Sequence, residues 1–203
     1  MLPVLAACGG EQGETGSNGA DEPPRELYRQ GMAEIDYGDL DPDDVGLHVT
    51  WATNPISYDP RPDSETARLT DVTINSYGGF DRVTFNFEPR IPGYRLHFTQ
   101  AGGGCDGTGA GAGTPAQLAV EFTRATASDE GSSLINERDL TPGHPALSRA
   151  VQTCDEGDRV TWLLGTSGEA EYRLMEALAY TLLVVDLRVL PASDAVPPGG
   201  EFD

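Results

Sequence analysis

The side chains able to handle protons, metals or nucleophilic attack in this 203-residue chain are 33 carboxylates, three histidines and three cysteines. Their spacing decides what each class can do. Carboxylates abound, yet no two are set apart as an acid–base pair. His48, His97 and His144 are isolated, and neither H-x-x-x-H nor C-x-x-C occurs, so zinc ligation is not expected. Gly165-Thr166-Ser167-Gly168 lacks the G-x-S-x-G order of a nucleophile elbow. Asp106-Gly107-Thr108-Gly109 is near, but is not, the Asp-Thr-Gly of aspartic proteases, and the glycines of 102–113 lack the Gly-Lys-Ser/Thr of a phosphate loop. Asp36, Asp39, Asp41, Asp43 and Asp44 superficially suggest a calcium loop, but the full pattern wants a central Gly and a terminal Glu at fixed offsets and Pro42 interrupts it, so they read as a solvated acidic linker. No catalytic residue, metal or cofactor is expected. The chain reads as a non-enzyme, with a carboxylate hydrolase as an alternative that the spacing does not support.

The cysteines divide into one and two. Leu5-Ala6-Ala7-Cys8 resembles the lipobox of bacterial lipoproteins, an aliphatic residue and two small ones before the cysteine that takes a diacylglycerol. Leu2 to Ala7 is too short to span a bilayer. No positive charge precedes it, so the initiator is expected upstream or the chain trimmed. Gly9 to Pro24 is rich in Gly, Ser, Asn and acids, with no apolar period, and reads as an unstructured tether. Arg25 to Tyr37 is expected to form a short helix through Leu27, Met32 and Ile35. The linker as a whole runs over 9–44. With Cys8 carrying lipid, Cys105 and Cys154 remain as an even pair in an oxidising compartment and are expected to form a disulfide. Closing a loop of that length contributes about 4 kcal/mol in the chain-entropy account.

Charge narrows the partners. The formal net charge is −20, the first 44 residues carry −9, and all 13 basic residues are Arg. No Arg cluster exists in the sequence, so nucleic acid is excluded as a partner.

From residue 45 the apolar period is two. Val45, Leu47, Val49 and Trp51 alternate with polar residues, and the same holds for Val72 and Ile74, for Val83, Phe85 and Phe87, and for Tyr94, Leu96 and Phe98. It holds again for Leu118, Val120 and Phe122, for Val160, Trp162 and Leu164, and more weakly for Tyr172 and Leu174. Leu182 to Val185 is apolar on both faces and reads as a central strand. Asn54 to Asp63, with three prolines, reads as a loop. Helices are allowed at Leu147 to Val151 and near Met175 to Ala179. About eight short strands between Gly/Pro turns predict an all-β antiparallel sandwich over 45–190, followed by an unstructured tail at 191–203. The glycine-rich stretch 102–113 reads as a flexible surface loop. Asp81-Arg82 and Asp158-Arg159 each open a strand after a glycine turn. They read either as solvated strand-entry residues or as matched sites on one surface.

The run Gly79-Phe80-Asp81-Arg82-Val83-Thr84-Phe85-Asn86-Phe87, then Pro92-Gly93-Tyr94-Arg95-Leu96, resembles the AMIN-like domain of actinobacterial lipoproteins. Asp106-Gly107-Thr108-Gly109, Gly157 to Trp162 with Gly165, and Leu183-Val184-Val185-Asp186 follow in that family's order, so the likeness spans about 45–189. The resemblance implies a β-sandwich related to the AMIN modules that hold proteins at the bacterial envelope, some through peptidoglycan. It implies no catalytic residue. The expectation is a non-catalytic lipoprotein on the outer face of the cell membrane. Its domain binds peptidoglycan or another wall glycan through Asp81, Arg82, Arg95, Asp158 and Arg159, and the alternative is docking onto an envelope protein.

Overall fold

The computed structural model describes residues 50–60, 64–107, 109 and 111–191. Cys8, the linker 9–44, most of the strand expected from Val45 and nearly all of the tail 191–203 lie outside the described residues. Within them the chain is almost wholly β. The strands are β1 Ile56–Tyr58, β2 Ala67–Tyr77, β3 Phe80–Glu88, β4 Gly93–Thr99, β5 Ala116–Thr123, β6 Ala125–Thr126, β7 Ser128–Asp129, β8 Ser132–Ser133, β9 Asp139–Leu140, β10 Leu147–Glu156, β11 Arg159–Thr166, β12 Ala170–Ala177 and β13 Leu182–Val189. Eight of these have seven residues or more; seven of them fall where the alternation predicts a strand, and the eighth is β10.

Two sheets face each other. The six-stranded sheet has the order β1-β4-β5-β11-β10-β9 and the five-stranded sheet β12-β13-β3-β2-β6, while β7 and β8 form a separate hairpin. Pairing within both is antiparallel except between β2 and β6. The alternating residues of β3, β4, β5 and β11 supply the interior. Phe85 of one sheet meets Phe122 and Trp162 of the other edge-on, at centroid distances of 5.1 and 6.1 Å. Phe87 packs on Phe122 at 4.9 Å. Each such side chain, taken wholly out of water, contributes about 1.5–3 kcal/mol. β13 lies between β12 and β3, as its two-sided apolar run predicts, and six of its eight residues are buried.

Three expectations are corrected. Leu147 to Val151 is not helical but opens the ten-residue β10, and Met175 to Ala177 ends β12 before a single 3-10 turn at Leu178–Tyr180. β10 carries two register shifts against β11, between Leu147 and Arg149 and between Gln152 and Cys154, and these break its period of two. The proline-rich loop contains β1, paired to β4 through Ile56 opposite Leu96 and Tyr58 opposite Tyr94. The glycine-rich stretch is not a free surface loop. It folds over the outer face of the six-stranded sheet, where Ala112 joins Ala119 and Leu163 in a small buried cluster with Val151 against it. The Gln117 amide accepts from Ala112 N–H at 2.8 Å, and Arg149 Nη1 donates to Ala112 O at 3.0 Å. A Cβ on Gly165 would lie 2.5 Å from Thr114 Oγ1 and 2.8 Å from Ala112 Cβ, so only glycine lets the loop lie this close to β11.

The Cys105–Cys154 disulfide pins that loop to β10. Alkylation of the unreduced protein with iodoacetamide is therefore expected to leave Cys105 and Cys154 unmodified, with both labelled after reduction. Peptide mass mapping checks this, and label on either residue before reduction would contradict the pairing.

Candidate functional site

The β3 motif Asp81-Arg82 divides between two environments. Asp81 follows the inward set Val83, Phe85 and Phe87, so it enters the sandwich and is 1% exposed. There its carboxylate accepts from Ala146 N–H at 2.6 Å and Leu147 N–H at 2.8 Å, at the start of β10 in the other sheet. Ser76 Oγ donates to it at 2.6 Å, and His144 Nδ1 stands 3.9 Å away. Asp81 therefore ties one sheet to the other through backbone donors that would otherwise be buried unpaired.

Arg82 points the opposite way, onto the outer face of the five-stranded sheet. Register places Asp186 of β13 directly between Arg82 of β3 and Arg173 of β12. Arg82 Nε and Nη2 reach its two carboxylate oxygens at 2.7 and 3.0 Å, and Arg173 Nε donates to Oδ2 at 2.7 Å. One carboxylate thus serves two guanidiniums. Arg82 is 1% and Asp186 0% exposed. The expectation that Asp81 and Arg82 bind a ligand from a wet face is corrected. Both are buried and hydrogen-bonded within the domain, so neither stands on a solvated strand face.

Aromatic rings lie over this triad. Tyr77 and Phe80 stack at 5.0 Å, and the Arg82 guanidinium carbon is 5.3 and 5.5 Å from their centroids. Trp51 reaches the same face because Ala52 exchanges both backbone hydrogen bonds with Tyr172 on the edge of β12, at 2.8 and 2.9 Å. Its ring sits 4.2 Å from the guanidinium carbon of Arg188 and 4.9 Å from that of Arg173, and 6.3 Å from Phe80. Arg188 also pairs with Glu171, its register partner. The result is an alternating array of rings and guanidiniums, with Trp51, Phe80, Tyr77 and Arg188 partly open to solvent. On a protein of net charge −20 this is a local cationic and aromatic surface.

The other expected residues stand elsewhere. Arg95 is exposed on the outer face of the six-stranded sheet, opposite Glu121. Asp158 and Arg159 are exposed at the β10–β11 turn, where Arg159 Nη2 donates to Cys105 O at 3.0 Å beside an open cleft lined with Asp106 and Glu156. Arg95 and Arg159 share one sheet face with β5 between them, but Asp81-Arg82 and Asp158-Arg159 belong to different sheets and are not a matched pair. Sequence reasoning missed Arg173 and Arg188. Their only sequence signal was the alternation of charge with apolar residues in β12 and β13.

Burial acts on two tyrosines. It pushes the Tyr94 phenol far up, aided by the neighbouring Glu176 carboxylate. It raises Tyr172, whose hydroxyl donates to Asn54 O at 2.6 Å, to about 12. At the surface Arg149 donates to Asp139 and holds that carboxyl below its usual range, while Asp139 raises Arg149. Among the described residues no group of three or more His, Cys, Asp or Glu stands close enough to hold a metal ion.

Two facing antiparallel sheets, a buried Asp–Arg motif and an aromatic outer face define a β-sandwich module. The sequence pattern of the AMIN-like domain family matches residues 67–189, and the chain belongs to that family. No curated protein and no solved structure matches it.

Proposed function

We propose that the chain is a non-catalytic module of the cell envelope. Its sandwich holds to peptidoglycan or another wall glycan, and lipid on Cys8 fixes it to the outer face of the membrane. The observation that carries the reading is the array of Trp51, Phe80 and Tyr77 interleaved with Arg173 and Arg188. Flat rings stack on the apolar faces of sugars, and guanidiniums donate in pairs to carboxylates and hydroxyls. Membership of the AMIN-like family supports attachment to the wall.

The test is co-sedimentation of the full chain with purified cell walls at low and moderate salt. The parent protein is expected in the pellet. Trp51→Ala combined with Arg188→Ala is expected to weaken binding about tenfold, or 1.4 kcal/mol. The variant should still fold, since an exposed cation–π contact contributes only about 0.5–1 kcal/mol. A parent chain that stays in the supernatant at both salt levels sinks the reading and directs attention to an envelope protein as partner.

A further inference from the structure

β2 is the longest strand described, at 11 residues, and β6 covers only its start, pairing Ala67 with Ala125 and Arg68 with Thr126. From Leu69 to Tyr77 no described strand lies on the outer side of β2. The phase of the ladder fixes which backbone groups point that way. Phe87 N–H donates to Thr181 O on the β13 side at 3.0 Å, and Asn86 O accepts from Thr70 Oγ1 on the β2 side at 3.2 Å. Backbone groups alternate in direction along an antiparallel strand, so Arg82, Thr84 and Asn86 turn theirs toward β2. Their register partners Asn75, Thr73 and Asp71 turn back toward β3. The N–H and C=O groups of Val72, Ile74 and Ser76 therefore point outward, to the side with no described strand.

The side chains tell the same story. Val72 and Ile74 pack against the main core yet stay partly exposed, while their register partners Phe85 and Val83 are wholly buried. The interior is thus open along this edge. Proteins guard such edges with charge, proline or a central bulge. Between Leu69 and Tyr77 there is no proline and no basic residue, the sole charge is Asp71, and the bulge falls near the start, between Leu69 and Asp71. A strand laid against Val72, Ile74 and Ser76 would pair their backbone groups and cover two apolar side chains.

We propose that two copies of this chain pair antiparallel along β2, about a two-fold axis at Thr73. The segment is complementary to itself in that register, as a closed two-fold contact requires. Val72 of each copy meets Ile74 of the other, so apolar residues adjoin on the inner side and the outward N–H and C=O groups exchange hydrogen bonds. Asp71 meets Asn75, which gives each carboxylate an amide donor, and Thr73 meets Thr73, a favourable cross-strand pair. An axis at Ile74 would set Val72 against Ser76, and an axis at Asp71 would set two carboxylates together. The Gly78-Gly79 turn takes the added strand out of the sheet beside Arg68, before it reaches β6. The two five-stranded sheets become continuous, with both Trp51 arrays on the same side. The contact uses none of the residues of that array, so it does not rest on the wall-binding reading.

The test is sedimentation velocity of the full chain carrying Cys8→Ser, from low micromolar to about 0.5 mM, at low and moderate salt. A monomer–dimer equilibrium is expected, with a dissociation constant of about 0.1 mM, as suits a contact made by one strand pair. It should tighten at moderate salt, because each copy carries a net charge of −20. Thr73→Arg, at an exposed position, sets like charges on the axis and should weaken the dimer about tenfold with the urea midpoint unchanged. Thr73 turns its backbone toward β3, so the two copies of it form a non-hydrogen-bonded pair with Cα atoms about 4.5 Å apart, within disulfide reach. Thr73→Cys should therefore cross-link under mild oxidation, whereas Asn75→Cys, which faces Asp71, should not. Trp51→Ala should leave the dimer unchanged. A chain that stays monomeric throughout, a dimer untouched by Thr73→Arg or lost with Trp51→Ala, or a Thr73→Cys chain that cross-links no better than Asn75→Cys overturns the proposal.

Discussion

An Asp81→Ala chain is expected to lose about 4 kcal/mol of unfolding free energy, measured as a fall in urea midpoint at unchanged slope. The carboxylate takes Ala146 N–H, Leu147 N–H and the Ser76 hydroxyl, all at 2.8 Å or less, in a site 1% exposed. Each buried donor left without an acceptor costs about 1–3 kcal/mol, and here two backbone donors cannot turn to water. Asp81→Asn keeps one oxygen for the amides but offers an N–H₂ group where Ser76 donates, so it should recover about half of the loss. A change below about 1 kcal/mol for the alanine variant would show that β10 finds other partners and that Asp81 does not join the sheets.

Asp186→Ala is the second large effect, with an expected loss of about 3–5 kcal/mol. Arg82, 1% exposed beneath Tyr77 and Phe80, loses the carboxylate that takes both its Nε and its Nη2, while Arg173 loses the same acceptor. The loss includes the cost of a buried guanidinium deprived of this carboxylate as well as the worth of the pair, which a double replacement separates. Asp186→Leu with Arg82→Met removes both buried charges at similar volume and should unfold within about 1.5 kcal/mol of the parent. Arg173 needs no rescue in that variant because it is partly exposed and lies against Trp51 and Phe80. If the double variant is as unstable as Asp186→Ala, the guanidinium of Arg82 is not the source of the loss. Chemical denaturation of the three chains side by side decides between these.

The strands legible in the sequence are those with one dry face and an unbroken register. Val83, Phe85 and Phe87, or Val160, Trp162 and Leu164, alternate cleanly because every second residue enters a single interior. β10 was hidden by its two bulges, since Leu147, Ala150 and Val151 fall at helical spacing when the offset is unknown. β1 was hidden by the prolines around three residues of edge strand. The candidate site was legible in kind but not in place. Asp81-Arg82 stands out in the chain, but its burial depends on Asp186, 104 residues away from Arg82, and on the opposite sheet. Long-range register, not local pattern, turned an apparent surface pair into internal ties. The same register gathered Arg173 and Arg188 under Trp51, where sequence showed only scattered charges.

The way the two sheets end bears on how this protein keeps apart from its neighbours. Sheet edges invite unwanted pairing with a second chain in proportion to their free length. Three of the four edges end on short strands, β1 with three residues and β6 and β9 with two each, so β2 from Leu69 to Tyr77 runs on beyond β6. The fourth, β12, is eight residues long, and its first half is occupied by Ala52 opposite Tyr172 and bears Glu171 and Arg173. From Leu174 to Ala177 β12 has no strand on its outer side among the described residues, and that length carries Glu176. Among the described residues the longest such length is on β2, and a strand from a second copy is expected to add there first.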